Sequence, residues 1–192
     1  MINDIVEKAK EYIKLLFENN SDGHDYNHTI RVYDLAKKIA TKYDCNVLVV
    51  SLASLLHDVD DYKLFDTNNN ENARKFMKSI DLDDNIIENV CNVINSISFS
   101  KNKDKVVDSI EAKIVQDADR LDAMGAIGIA RTFAYGGGHN RSLKESLNHF
   151  DEKLLLLKER INTKEGKEIA EERHSFLIEY LNELRKETDN NL

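Results

Sequence analysis

The chain has 192 residues, 41% hydrophobic and 32% charged, long enough for one well-filled core and too apolar for a disordered segment. Its 27 basic and 35 acidic residues leave a net charge of −8, which excludes a protein that grips nucleic-acid polymers mainly through their phosphates. An anionic small molecule stays open, because a local cation outweighs the global sum.

There is no proline and there are only seven glycines, so the commonest helix breaker never interrupts the pattern. The first helix reads from Ile2, Ile5, Val6, Ala9, Ile13 and Leu16, spaced by three and four as an amphipathic helix requires. Asp4 and Glu7 fall inside that pattern, which removes it from the secretory signals. A second helix follows through Ile30, Tyr33, Ile39 and Ala40, then others at about 46–57, 69–79, 84–97, 108–119, 121–135, 142–160 and 163–188. Asp108-x-x-Glu111 and Ser142-x-x-Glu145 resemble capping boxes, and Thr163 is a cap. Only residues 95–100 hesitate between helix and strand. The longest apolar run, Val47 to Leu56, is too short to span a bilayer. Cys45 and Cys91 have no metal-like spacing and read as small buried hydrophobes in a reducing compartment. The expectation is one all-α, compact multi-helix domain covering 1–192, in the cytoplasm.

Chemistry-bearing residues gather at three places. His24 and His28 lie four apart in GHDYNHTIRV, at the start of the second helix. SLLHDVDDY carries His57, Asp58, Asp60 and Asp61 just after an apolar helix, where acids face the negative end of the macrodipole and call for a compensating cation. IVQDADRLD places Asp117, Asp119 and Asp122 within a span of six residues, just after the apolar Ile114 and Val115. A buried carboxylate there needs a donor, a cation or a metal, whereas Asp119, Arg120 and Asp122 also read as an exposed ion-pair cluster. Gly136 to Gly138 read as a helix connection, with a phosphate-cradling loop as the alternative. His149 and His174 sit among charges and read as structural or surface residues. The Leu154–Leu157 run reads first as core and second as the face of a homodimer.

Taken in order, a His in GHDYNHTIRV, the doublet in LLHDVDD and an Asp in IVQDADRLDAMGAIGIART resemble the HD superfamily of metal-dependent phosphohydrolases. The resemblance covers most of the chain and implies a helical bundle with a metal site in its core. It assigns one divalent cation to His28, His57, Asp58 and Asp117. Two imidazoles and two carboxylates suit Mn, Co, Fe, Ni or Zn, with Mn favoured and Mg also admitted. Some members carry HDxxE; this chain has Asp61 at that position, one methylene shorter, as the catalytic carboxylate beside His24. Lys113, Arg31 and Arg120 are assigned to substrate charge. The implied substrate is a nucleotide, and the leading reaction is hydrolysis of a nucleoside triphosphate to monophosphate and pyrophosphate. A 5′-nucleotidase or (p)ppGpp-type hydrolase comes next, then a non-catalytic nucleotide- or metal-binding regulatory domain. A di-iron oxygenase would need further histidines, and residues 58–138 contain none. Asp60 is left without a role.

Overall fold

The computed structural model describes residues 2–18, 25–62, 64–97 and 108–188. Among them are nine α-helices and no strand, as the all-α expectation requires. The helices are α1 (Ile2–Leu16), α2 (Tyr26–Ala40), α3 (Val47–Leu56), α4 (Glu71–Ser79), α5 (Asp84–Ile97), α6 (Ile110–Asp122), α7 (Gly125–Gly138), α8 (Leu143–Glu152) and α9 (Lys164–Glu187). None is long and apolar enough to cross a membrane. The chain packs as two compact units, Met1–Ala118 and Asp119–Leu192, and the division falls inside α6.

In the first unit α3 is the central element. Every residue from Val49 to Leu56 is buried, so the helix is apolar all round, as a helix enclosed by others must be. Helices α1, α2 and α5 pack on it and present Ile13, Val32, Ile39, Ile87 and Val90, each no more than 1% exposed. Asn46 starts α3 by accepting from the N–H groups of Leu48 and Val49. Ring stacking of Tyr12 on Phe76 at 4.6 Å joins α1 to α4. Helix α5 covers 84–97 and so settles the hesitation at 95–97 as helix; residues 98–100 lie outside the described residues.

In the second unit α7 packs on α8 and α9, with Phe133, Phe150 and Tyr180 in mutual ring contact. Ser142 and Glu145 make the expected capping box at α8, and the Thr163 hydroxyl accepts from Gly166 N–H at α9. Three expectations are corrected. The helix expected over 142–160 stops at Glu152, because Lys153 leaves helical geometry (φ −138°, ψ −58°); two short 3-10 turns follow at Leu154–Leu156 and Lys158–Arg160. That tighter winding buries Leu154 and Leu157 but leaves Leu156 48% exposed. The Asp108–Glu111 box does not form: Ser109 Oγ caps Ala112 N–H, and Glu111 instead accepts from Asn46 N–H. Gly136, Gly137 and Gly138 are the last turn of α7 rather than a loop, closed by His139 N–H onto Gly136 and Tyr135 carbonyls.

Candidate metal centre

The first unit brings three of the expected ligands together. Asp25 caps α2 by accepting from His28 N–H at 2.7 Å, which fixes His28 in the first turn of α2 with its side chain only 1% exposed. His57 is the C-cap of α3, its side chain 3% exposed. Their Nε2 atoms face each other at 3.3 Å, and Asp58 Oδ2 lies 3.5 Å from the first and 3.3 Å from the second.

The tautomer of His57 follows from its other nitrogen. Nδ1 lies 2.8 Å from the Ser54 carbonyl oxygen, which can only accept, so Nδ1 carries a proton and Nε2 is the nitrogen that faces His28 and Asp58. A backbone carbonyl behind a ligating imidazole is the common way to fix ring and tautomer. Two nitrogens and a carboxylate oxygen so placed, with water nearly excluded, fit the edges of one cation's coordination shell. Bonds of about 2.0–2.2 Å put neighbouring ligand atoms about 3 Å apart. The donor chemistry therefore suits a borderline first-row ion.

The acids after α3 have different fates. Asp60 turns away from the negative end of α3 and accepts from the Asn72 and Ala73 N–H groups at 2.9 and 3.0 Å, the positive end of α4, while Asn70 at the N-cap position makes no side-chain cap bond. This role escaped the sequence because the partner is a helix N-terminus 12 residues away. Asp61 is half-buried in the turn that follows, its N–H on the Asp58 carbonyl and its own carbonyl accepting from Leu64 and Phe65. Of the other expected residues, Arg31 is half-buried on α2, one turn after His28, and Lys113 is half-buried on α6. Asp117 is fully buried on α6, two residues before the half-buried Asp119. Arg120, in the second unit, donates through Nη1 to the main-chain oxygen of Arg160. His24 lies outside the described residues.

A family model for the HD domain matches residues 25–124. The Bacillus subtilis protein YpgQ is 36% identical over 190 residues, covering 94% of this chain and 92% of its own. The crystal structure of B. subtilis YpgQ in complex with ADP superposes with a TM-score of 0.85 at 33% identity, over 97% of this chain and 96% of that one. An HD-superfamily hydrolase from Bacillus thuringiensis matches with a TM-score of 0.81 at 34% identity, over 98% and 99% of the two chains.

Proposed function

Because this chain belongs to the HD domain family and is a metal-dependent phosphohydrolase of that superfamily, we propose that it acts on a nucleotide, hydrolysing a nucleoside triphosphate to the monophosphate and pyrophosphate. The observation that carries the substrate class is the complex of YpgQ with ADP. The facing imidazoles of His28 and His57 beside Asp58 support the metal.

The α6 ligand in this proposal is Asp117, as assigned from the sequence, which is fully buried in the same unit as His28, His57 and Asp58. Residues two apart on a helix point about 200° apart, so Asp117 and Asp119 do not share a face. With Asp58 the set holds two neutral imidazoles and two carboxylates, which balances a divalent charge. A divalent ion held there lowers the pKa of a water and polarises a phosphoryl oxygen.

The chain's own groups do the rest. The Ser54 carbonyl keeps the His57 ring in one orientation. Asp61, set in its turn by the bond to the Asp58 carbonyl, takes the proton of the attacking water. Arg31, Lys113 and His24 offset the charge that develops on the phosphoryl oxygens.

The test is product analysis of a panel of nucleoside and deoxynucleoside triphosphates with Mn²⁺, Mg²⁺ or Co²⁺. Monophosphate and pyrophosphate in equal amounts are expected. Orthophosphate as the sole phosphate product sinks the pyrophosphohydrolase reading in favour of a nucleotidase. Asp117→Asn and Asp119→Asn, measured for bound Mn²⁺ as folded proteins, test the α6 assignment: loss is expected for Asp117→Asn, and loss in Asp119→Asn alone overturns it.

A further inference from the structure

The start of α4 forgoes the cap that its own sequence offers. Asparagine is among the best N-cap residues when its backbone is extended. Asn70 stands at that position and makes no side-chain cap bond. Asn69 and Asn70 both adopt left-handed backbone, φ +54° and +56°, a region that residues other than glycine enter rarely and asparagine least reluctantly. Asn70 is 7% exposed and donates through Nδ2 to Asn95 Oδ1 on α5 at 3.1 Å. Arg74 donates through Nε to the Asn69 carbonyl at 3.0 Å and pairs with both carboxylate oxygens of Glu88 on α5. Helix α5 thus holds both residues in this backbone.

The first turn of α4 is taken instead by the turn that follows His57 and Asp58. Asp60 accepts there from the Asn72 and Ala73 N–H groups. Asn72 adds a bond from its side chain: Nδ2 donates to the Val59 carbonyl oxygen at 2.8 Å. One residue therefore grips the turn twice, by its main-chain N–H on Asp60 and its amide on Val59. The Val59 side chain is fully buried, which anchors the same residue from its other side. Strained backbone held by its surroundings concentrates where geometry matters to function.

Which neighbour this grip controls follows from covalent geometry. Holding the Val59 carbonyl fixes the plane of the peptide between Val59 and Asp60. His57 and Asp58 precede that plane and are set by the end of α3. Asp61 comes after it.

We propose that Asn72 is a positioning residue for Asp61: by holding the Val59–Asp60 segment it fixes where the Asp61 carboxylate stands relative to Asp58. This rests on the reading above that Asp61 takes the proton of the attacking water. Every group involved lies in the first unit.

The experiment uses the full chain and compares wild type with Asn72→Ala, Asn72→Asp, Asp61→Asn and Gly136→Ala. Asn72→Asp keeps the shape but turns an acceptor toward the Val59 carbonyl. Gly136→Ala is a destabilised control in the second unit. Mn²⁺ affinity, thermal melting and amide exchange over residues 59–62 are measured on metal-stripped protein. The kcat and KM are then measured with Mn²⁺ and the nucleoside triphosphate that wild type turns over fastest. Both Asn72 variants are expected to bind Mn²⁺ as wild type does and to exchange faster over 59–62. Their kcat is expected to fall by roughly 10- to 100-fold, as a misplacement within about 1 Å produces, with KM unchanged. Gly136→Ala is expected to keep the wild-type kcat.

Wild-type kcat in the Asn72 variants overturns the proposal, and so does an equal loss in Gly136→Ala, which would reduce the effect to stability. Weakened Mn²⁺ affinity in the Asn72 variants also overturns it, because the grip would then act on Asp58. Should Asn72→Asp not fold, Asn72→Ala decides by the same criteria. If Asp61→Asn turns over at the wild-type rate, or wild type hydrolyses no triphosphate, the reading beneath has failed and the positioning role falls with it. Loss in Asp61→Asn with none in the Asn72 variants removes the positioning role alone.

Discussion

At the scale of single residues, what a side chain does here is decided by the nearest helix end. Asp60 and Asp61 are chemically identical neighbours, yet Asp60 spends both oxygens on the first N–H groups of α4. Asp60→Ala is expected to destabilise the fold by about 1–2 kcal/mol, the usual cost of losing an N-cap acceptor, while Mn²⁺ binding stays intact. Urea unfolding and a metal titration on the same protein check both halves. His149 obeys the same logic with a different readout. It is half-buried on α8, and burial, followed by the charges of Lys153 and Arg141, lowers its pKa. The unfolded chain therefore binds this proton more readily. The stability tied to neutral His149 is complete above the unfolded value of about 6.5 and is lost as the pH falls from there through the folded value. His149→Gln should flatten that part of the melting-temperature profile; an unchanged slope would assign the acid sensitivity elsewhere.

At the scale of elements, periodicity carried most of the information. Nine helices were expected and nine are present among the described residues, because spacing by three and four survives any detail of packing. Their ends depended on partners that one stretch of sequence does not contain. Ser142 and Glu145 bond to each other, so that cap was legible; Glu111 finds Asn46, 65 residues away, so that box was not. The glycine run misled for a related reason. Glycine lowers helix propensity, but α7 continues through it because Gly136 lies against α8, where a Cβ would come within 2.3 Å of Ser146 Oγ. Adjacent Gly137 has nothing within 4 Å of such a Cβ. The two positions should respond with opposite sign. Gly137→Ala is expected to stabilise by about 0.5–1 kcal/mol through lower unfolded-state entropy, whereas Gly136→Ala must push Ser146 aside and destabilise by about 1–3 kcal/mol. Denaturant midpoints of the two variants give the answer directly.

At the scale of the whole molecule, the site is where residues distant in sequence become one chemical object. That His28, His57 and Asp58 come together was legible because their order along the chain is distinctive and they lie at the start of one helix and the end of another. The α6 carboxylate is less distinct, since Asp117 and Asp119 both follow the same apolar stretch. If His28, His57 and Asp58 hold a divalent ion, the folded chain binds it and the unfolded chain does not, so ion binding adds directly to folding free energy. At a free concentration 100 times the dissociation constant the gain is about 2.7 kcal/mol. The melting temperature should accordingly rise with Mn²⁺ concentration in the metal-stripped protein and fall again with chelator. In His57→Ala that dependence should vanish, because one nitrogen of the facing pair is gone while the Ser54 carbonyl merely returns to water. Persistence of the full Mn²⁺-dependent shift in a folded His57→Ala protein would place the stabilising ion somewhere other than between α2 and the end of α3.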